Sequence, residues 1–501
     1  MYKFGFRQML LVVVAASVMP FVVNFAEPGV QFSQDSWAYY DLAQTTFVDF
    51  YRSFVHRSYG EGLGYNQSFP PLWPVVVAVG LVVAPFGVTT QILLAVISAI
   101  ATIIPLRSIA RTCQTNRSVA DVSALLIWIS LITFGGYASE VLAGRSIPLA
   151  ILIQLSAFAL LLQGGPDLKP SRSGAAGLLL GLGALTRFDA LPIALAVAAY
   201  FAVTSRVRLT ARLALLLGVA IGLAPWIVYS ELRFGRLWAS DTSFMALSAV
   251  PTTFRAYDPS ASTVFTDPGR WVIRIAKNAA SLWLAFLSAL PTFPLLVVSI
   301  AAAGVVFRAP AGRGTTRQLT RDEKGLGALI AVAVVGLAGQ VLVGYIDTRY
   351  FTLLFLVLTA FAVCYTLRRS TRVRSILWGA AFYTVVVALA QSALFALERT
   401  RLPALLSDTD IALLRREMPN AVILDGPRFC SELGARARVH VVCLPSDWAA
   451  LTDEKRRDFV GRLGITHVRF PPPGDAETRV FLRRVSEIDD VALRNLTSRS
   501  R

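Results

Sequence analysis

Long apolar runs, separated by short polar segments, follow one another from residue 8 to about residue 397. About 20 consecutive apolar residues suffice to cross the hydrocarbon core of a bilayer as a helix. The pattern predicts eleven helices, at about 8–26, 89–106, 119–137, 146–163, 175–187, 189–203, 213–230, 279–306, 326–345, 350–367 and 376–397. We therefore expect an α-helical polytopic membrane protein with about 11–13 transmembrane helices.

Two apolar segments do not fit simple spans. Segment 71–86, PLWPVVVAVGLVVAPF, is short and is interrupted by Pro71, Pro74 and Pro85, so we interpret it as a re-entrant or juxtamembrane helix. The pair over 175–203 is short for two spans, so it is expected to form a helical hairpin that crosses the bilayer only in part.

The pattern changes after residue 400, where the apolar runs shrink to the length of strands. AVIL at 421–424, VHVVC at 439–443 and ITHVRF at 465–470 are separated by helical patterns, which indicates a small α/β domain. The predicted organisation is a membrane module over 1–399 with external loops 27–70 and 231–275. An external α/β domain over 400–490 and a disordered tail over 491–501 follow.

The chain is 55% hydrophobic and 16% charged, with a formal net charge of +17. The basic residues stand in short clusters between the apolar runs, which is typical of cytoplasmic loops and does not require a nucleic-acid partner. With the N-terminus in the cytoplasm, the eleven helices place the C-terminal domain outside the cytoplasmic (inner) membrane, in the periplasm or extracellular space. There, Cys430 and Cys443 either form a disulfide or are two buried thiols.

Ionisable residues gather at the outer ends of these predicted helices, where charge is costly and tends to mark function. They are Asp35, Asp41, Glu140, Arg145, Arg187, Asp189, Asp347 and Arg349. The neutral interpretation is that each acid pairs with a neighbouring arginine. The functional interpretation is a site for an anionic lipid headgroup, because the planar guanidinium of arginine matches the oxygens of a phosphate.

Asp35 stands at the start of QDSWAYYDLA, in the first external loop. A carboxylate there can deprotonate a hydroxyl nucleophile or hold a divalent metal, Mg or Mn. The alternative role is a helix N-cap, and the two roles are compatible.

The chain resembles the GT-C superfamily of integral-membrane glycosyltransferases, which use polyprenyl-phosphate sugars. The resemblance is closest to bacterial members related to protein O-mannosyltransferases and lipid A aminoarabinose transferases. The segments that carry it are QDSWAYYDLA, SFPPLWPVVVAV, GLLLGLGALTRFDALPIAL and DTRYFTLLFLVL, together with LLRREMPNAVILDG at the start of the last domain.

The resemblance implies a GT-C fold and a sugar transfer from a polyprenyl-phosphate carrier to a glycan, lipid or protein acceptor. It also implies that Asp35 is the catalytic base or a metal ligand, although the second acid of the family's paired motif is missing here. Arg349 and then Arg187 are the expected ligands of the donor phosphate. The further expected substrate-binding residues are Tyr39, Asp41, His56, Glu140 and Asp347.

Two other functions fit the same residues. A lipid transporter or flippase would use the arginines to guide a headgroup, but no internal repeat supports it. A non-catalytic partner in cell-envelope assembly would tolerate the missing second acid.

Overall fold

The computed structural model places helices over most of the chain and one small sheet near its C-terminal end. The residues that it describes are 34–49, 51–56, 66, 69–114, 116–164, 168–203, 207–240, 267–290, 294–308, 321–343, 348–369, 373, 375–386, 406–426, 429–445, 448–470 and 480–497. The predicted first helix, 8–26, lies outside the described residues.

Within the described residues, fifteen helices precede the last domain and are numbered in chain order. They are α1 (Gln34–Thr45), α2 (Leu72–Val83), α3 (Val88–Ala101), α4 (Ile103–Cys113), α5 (Arg117–Ile132), α6 (Gly135–Leu142), α7 (Ile147–Gly164), α8 (Pro170–Thr186), α9 (Leu191–Val203), α10 (Leu209–Phe234), α11 (Pro268–Ala289), α12 (Pro294–Arg308), α13 (Arg321–Val343), α14 (Thr352–Arg369) and α15 (Ser375–Val386).

Within the described residues, five helical segments are long and apolar enough to cross a membrane: Val88–Cys113, Leu209–Phe234, Pro268–Ala289, Lys324–Leu342 and Arg349–Arg368. The pair α5 and α6 makes a sixth if its 74° bend lies within one span. The other apolar helices are shorter. Helix α2 has 12 residues, so at 1.5 Å per residue it is too short to cross about 30 Å of hydrocarbon. The chain is a multi-pass membrane protein with the expected helical fold class, and its number of spans stays a prediction.

Helices α8 and α10 pack at backbone contact, through glycines on both helices. A Cβ atom built on Gly177 would lie 2.1 Å from the carbonyl oxygen of Leu215, and one on Gly218 would lie 2.2 Å from that of Gly174. Small residues allow this close approach, and helices in lipid associate largely through such packing. The glycines of GLLLGLG and its neighbours therefore fix α8, which ends directly before Arg187.

We expect Gly177→Ala to destabilise the protein, because the new methyl group would collide with the backbone of α10 and force the two helices apart. Overpacking of this kind costs about 1–3 kcal/mol. Gly327→Ala on α13 is the matched control, since a Cβ atom there has no neighbour within 4 Å. Thermal unfolding in detergent should show a lower Tm for Gly177→Ala alone. Equal Tm values for the two variants would contradict the packing argument.

Two predicted helices differ from the structure. The predicted single helix at 279–306 is wrong, because α11 and α12 are separate and the second begins at Pro294, a residue that favours the first turn of a helix. The predicted helix at 119–137 is also wrong at its end. Helix α5 stops at Ile132, and α6 starts again at Gly135 in another direction.

The last domain contains the five-stranded sheet β1 (Val55–His56), β2 (Val422–Asp425), β3 (His440–Cys443), β4 (His467–Arg469) and β5 (Leu482–Arg484). Its strand order is β1-β3-β2-β4-β5, with only β5 antiparallel to its neighbour. Helices α16 (Asp408–Glu417), α17 (Cys430–Ala437), α18 (Asp453–Arg462) and α19 (Asp490–Arg494) accompany it. The expected α/β character of this region is confirmed.

Strand β1 comes from the segment between α1 and α2, although the sequence indicated a domain built from 400–490 alone. Val55 pairs with Val441 and His56 pairs with Val442. Cys430 and Cys443 form a disulfide, which joins the start of α17 to the end of β3. The loop that carries α1 is thus part of the sheet of the last domain.

The predicted disordered tail at 491–501 is wrong for its first half. Helix α19 covers Asp490–Arg494, and Leu493 is buried, with its carbonyl accepting a hydrogen bond from the indole of Trp448 at 3.0 Å. The apolar Leu493 anchors a segment that looks polar as a whole. Residues 498–501 lie outside the described part.

Candidate active site

Asp35 lies in the first turn of α1, one residue after the helix begins at Gln34. A carboxylate in this position also interacts favourably with the positive end of the helix dipole. The helix itself is held on two sides: Trp37 packs between Ile92 of α3 and Ala435 of α17. Membrane module and last domain thus fix the helix that carries Asp35.

The short loop between α6 and α7 is held by a single carbonyl group. The carbonyl of Gly144 accepts hydrogen bonds from the indole of Trp73, at 3.1 Å, and from the amide of Gln91, at 2.8 Å. Gln91 also donates to the carbonyl of Ser36 on α1, at 3.2 Å. Gly144 has φ +65°, a conformation that glycine adopts without strain. The loop therefore sets α1 against the start of α7.

Tyr39 follows Asp35 by about one turn on α1. Its hydroxyl and that of Ser146 are 3.0 Å apart, and both side chains are buried. Burial raises the pKa of Tyr39, Arg187 lowers it, and Asp35 and Glu140 raise it. The pKa of Tyr39 thus depends on the charges of three predicted site residues, Arg187, Asp35 and Glu140.

Glu140 bridges two arginines, Arg145 and Arg349. Its side chain is 1% exposed, and Oε1 accepts hydrogen bonds from Arg145 and, at 2.8 Å, from Nη1 of Arg349. Arg349 is itself only 8% exposed. The backbone of Arg349 touches α6, where a Cβ atom on Gly136 would lie 3.1 Å from its Cα atom. Glu140 therefore fixes Arg349, whose planar guanidinium carries five N–H groups.

Arg187 follows the last residue of α8 and is paired with Asp189. Its Nε and Nη2 atoms donate to the two carboxylate oxygens of Asp189 at 2.8–3.0 Å. The guanidinium groups of Arg187 and Arg349 lie 5.5 and 5.4 Å from the centre of the same ring, that of Tyr350. We call Arg187, Arg349 and Tyr350 the arginine site. The two arginines that the sequence indicated are brought together here.

A half-open pocket adjoins the arginine site. Apolar side chains of α7, α9, α13 and α14 form most of its wall, and the arginine site forms its charged end. The polar and charged residues that line it include Gln154, Arg187, Asp189, Gln340, Arg349 and Tyr350. This arrangement, apolar with cations at one end, is complementary to an amphipathic anion.

The hydrogen bonds of Asp41 do not involve the arginine site. Its buried Oδ2 atom accepts hydrogen bonds from the hydroxyl of Ser53 at 2.9 Å and from the backbone N–H groups of Phe54 and Val55 at 2.9 and 3.2 Å. Sequence reasoning assigned Asp41 to substrate binding. Its hydrogen bonds instead hold β1 against α1.

We expect Asp41 to make stability fall as the pH rises between about 4 and 6. Burial raises its pKa from 3.8 to about 6, so the folded state holds the proton that the unfolded state has already lost. The stabilisation is complete below pH 4 and is lost as the pH passes 6, a change on the order of 2–3 kcal/mol. Asp41→Asn keeps a hydrogen-bond acceptor and does not titrate. The Tm difference between wild type and variant should vary across this range, and parallel profiles would contradict the assignment.

His56 is not a solvated loop residue. It lies in β1, is 4% exposed, and its Nε2 atom is 2.8 Å from Nδ1 of His440. Burial, His440 and Arg52 lower the pKa of His56, so one neutral imidazole donates and the other accepts. The histidine that sequence reasoning placed at the acceptor site joins the first loop to β3.

Two predictions, the role of Asp347 and a metal site at Asp35, gain no support from these contacts. Asp347 lies outside the described residues. Among the residues that are described, no group of three or more His, Cys, Asp or Glu side chains is placed to hold a metal ion. Asp35 therefore gains no set of fellow metal ligands within this part of the chain.

Comparison of folds identifies three related crystal structures. The oligosaccharyltransferase of Archaeoglobus fulgidus, tethered to an acceptor peptide with the NVT sequon, is 15% identical over 92% of this chain and 69% of that chain, with a TM-score of 0.53. The same enzyme with zinc and sulfate is 16% identical over 91% and 67%, with a TM-score of 0.50. ArnT from Cupriavidus metallidurans, bound to undecaprenyl phosphate, is 14% identical over 87% and 86%, with a TM-score of 0.52.

No protein-family model matches the chain, and no curated protein matches it in sequence. TM-scores of 0.50–0.53 establish a common fold, whereas identities of 14–16% leave substrate and residue roles to the chemistry of the site. Both neighbouring proteins are GT-C membrane glycosyltransferases. The expected fold is thus confirmed: the chain has the GT-C fold.

Proposed function

We propose that the chain is a glycosyltransferase that moves a sugar from a polyprenyl-phosphate carrier to an acceptor at the outer face of the cytoplasmic membrane. The observation that carries the proposal is the arginine site at one end of an apolar cavity, beside the helix of Asp35. A phosphate on a lipid unites the charge and the hydrocarbon that this arrangement complements.

The fold neighbours support this choice of ligand. ArnT was crystallised with undecaprenyl phosphate, and the archaeal oligosaccharyltransferase with an acceptor peptide. In this chain, a carrier would have its phosphate at Arg187 and Arg349 and its lipid along the apolar wall of the cavity. The acceptor would approach from the side of α1 and the last domain.

The transfer is a single displacement at the anomeric carbon. The acceptor oxygen or nitrogen forms a bond to C1, the bond from C1 to the phosphate oxygen breaks, and polyprenyl phosphate leaves with the bonding electrons. Asp35 takes the acceptor proton, while Arg349 and Arg187 stabilise the charge that develops on the phosphate. Inversion at C1 follows from attack opposite the leaving group.

A divalent metal is one way to neutralise the same phosphate charge, and the zinc in a structure of the archaeal neighbour makes it plausible. The described residues do not assemble a ligand set for it. Arg187 and Arg349 are the residues to which we assign the phosphate charge. The disulfide between Cys430 and Cys443 supports an oxidising compartment for the last domain, as expected on the outer side of the membrane.

Turnover of defined donors tests the proposal. Purified protein in nanodiscs is offered polyprenyl-phosphate sugars and an envelope extract as the source of acceptor, with and without EDTA. Release of free polyprenyl phosphate is the expected result. Movement of the intact donor across the bilayer without release would identify a flippase, and neither release nor movement would favour an assembly partner.

A further inference from the structure

Three side chains, Arg52, His440 and His56, are hydrogen-bonded in series where β1 meets the last domain. Nη2 of Arg52 lies 3.3 Å from Nε2 of His440, and Nδ1 of His440 lies 2.8 Å from Nε2 of His56. A guanidinium only donates hydrogen bonds, so Nε2 of His440 accepts and its proton stands on Nδ1. That proton faces Nε2 of His56, which accepts in turn. The series therefore requires two neutral imidazoles, both with the proton on Nδ1.

A further proton on either histidine breaks this series, because it converts an acceptor nitrogen into a donor. On His440 the new N–H group would face the guanidinium of Arg52, and on His56 it would face the N–H group of His440. His56 is only 4% exposed, so water solvates an added charge there poorly. Burial lowers the pKa of both histidines, His440 lowers that of His56, and Arg52 lowers both.

The other charged groups around the two histidines do not offset a positive charge on them. Asp49 raises the pKa of His440, but its side chain is 49% exposed and already paired with Arg52 at 3.4 Å. Arg438, at the end of α17, adds positive charge over the ring of Phe54, and that ring lies 5.2 Å from the ring of His440. Among the described residues, this surface thus favours neutral histidines.

The same contact connects α1 to the last domain. Oδ2 of Asp41 on α1 accepts hydrogen bonds from Ser53, Phe54 and Val55, so β1 is tied to the helix that carries Asp35. Asp41 is the remaining titratable group beside β1, and its raised pKa means that it holds a proton in the closed state below about pH 6. It therefore acts in the direction opposite to the histidines.

We propose that Arg52, His440 and His56 form a latch that keeps the last domain on β1 and α1 at neutral pH and opens when the surrounding solution is acidified. The closed latch excludes protons that the open latch binds. Its stabilisation is thus fully present above about pH 6.5 and is lost as the pH falls from there toward the lowered pKa values of the closed state. The latch concerns a contact within the fold and does not depend on the proposed function.

Hydrogen exchange of the protein in nanodiscs, followed by mass spectrometry, tests the latch. The amide of Val441 on β3 donates to the carbonyl of Phe54 at 2.8 Å, so this amide loses protection when β1 leaves the sheet. Exchange is compared at about pH 7.5 and 5.5, corrected for the intrinsic rate of amides. The variant is His56→Gln, whose amide oxygen accepts a hydrogen bond without titrating in this range. His467→Gln is the matched control, because His467 lies on β4, outside the latch.

We expect acidification to increase the opening of wild type. The increase should be about tenfold smaller in His56→Gln, which is the contribution of one histidine with a free pKa of about 6.5 over this interval. Asp41 is present in both proteins, so its effect cancels in the comparison. His467→Gln should respond as wild type, and the pairing of β2 with β4 should stay protected throughout. Exchange of Val441 that is independent of pH, equal responses of His56→Gln and His467→Gln, or simultaneous loss of the β2–β4 pairing would each overturn the latch.

A second measurement needs no substitution and applies even if His56→Gln opens β1 at neutral pH. The chain has three histidines, so selective ¹⁵N labelling gives a simple spectrum. Solid-state NMR at neutral pH should show two imidazoles protonated on Nδ1 and coupled to each other through the N–H···N hydrogen bond, and acidification should remove the coupling. A proton on Nε2 in both, or no coupling at neutral pH, would contradict the proposal.

Discussion

Replacing Arg349 by alanine should lower donor turnover by about 10²–10³-fold, the cost of removing one strong donor from a site that stabilises developing negative charge. The guanidinium is buried, is fixed by Glu140 at 2.8 Å, and lies at the charged end of the cavity. Its loss also leaves Glu140 with a single arginine partner, Arg145. Affinity for sugar-free polyprenyl phosphate should fall as well.

Arg349→Lys separates charge from geometry, because an ammonium group keeps the charge but cannot reproduce the planar fork of donors. We expect it to recover part of the binding and little of the rate. Arg107→Ala is the matched control, since Arg107 is also ion-paired, to Asp121 at 2.6 Å, but is 43% exposed and outside the cavity lining. Equal activities of Arg349→Ala and Arg107→Ala would remove the arginine site from the mechanism.

Replacing Asp35 by asparagine should reduce the rate of the chemical step by about 10²–10⁴-fold, the usual contribution of a general base. The amide keeps the size and much of the hydrogen bonding at the start of α1, so the helix should stay in place. Binding of polyprenyl phosphate should be unaffected, because the phosphate contacts are assigned to Arg187 and Arg349. Single-turnover kinetics with a saturating donor measures this step.

Asp49→Asn is the control for Asp35→Asn. Asp49 is a carboxylate of the segment between α1 and α2, exposed and paired with Arg52 at 3.4 Å. It should retain full activity. If Asp35→Asn also retains full activity, the role of Asp35 is limited to its interaction with the dipole of α1. The general base is then a different residue. If Asp35→Asn also loses carrier binding, Asp35 acts on the phosphate side, for which a metal bridge becomes the leading explanation.

The membrane fold and its two arginines could be predicted because they depend on signals local in sequence. Apolar runs mark helices, and an Arg close to the end of such a run lies at a helix terminus. Arg187 and Arg349 come from helices far apart in the chain, yet both termini face the same side. Their meeting over Tyr350 follows from packing and could not be derived from spacing.

The contacts of the first loop could not be predicted, since they join residues nearly 400 positions apart. A two-residue strand such as β1 has no periodic signal, so His56 looked like an isolated loop histidine until β3 supplied its partner. The partners of Asp41 are close in sequence, in Ser53, Phe54 and Val55, but the turn that brings them to Asp41 has no clear signal in the sequence. The left-handed Gly144 in AGRS was a usable turn signal.

A structure of the protein with a bound polyprenyl-phosphate sugar, determined by electron cryo-microscopy in nanodiscs, tests the central claim most directly. The account predicts that the phosphate lies within hydrogen-bonding distance of Arg187 and Arg349, with C1 facing α1 and Asp35. A phosphate bound elsewhere, or a cavity filled only by bilayer lipid at saturating donor, would contradict it.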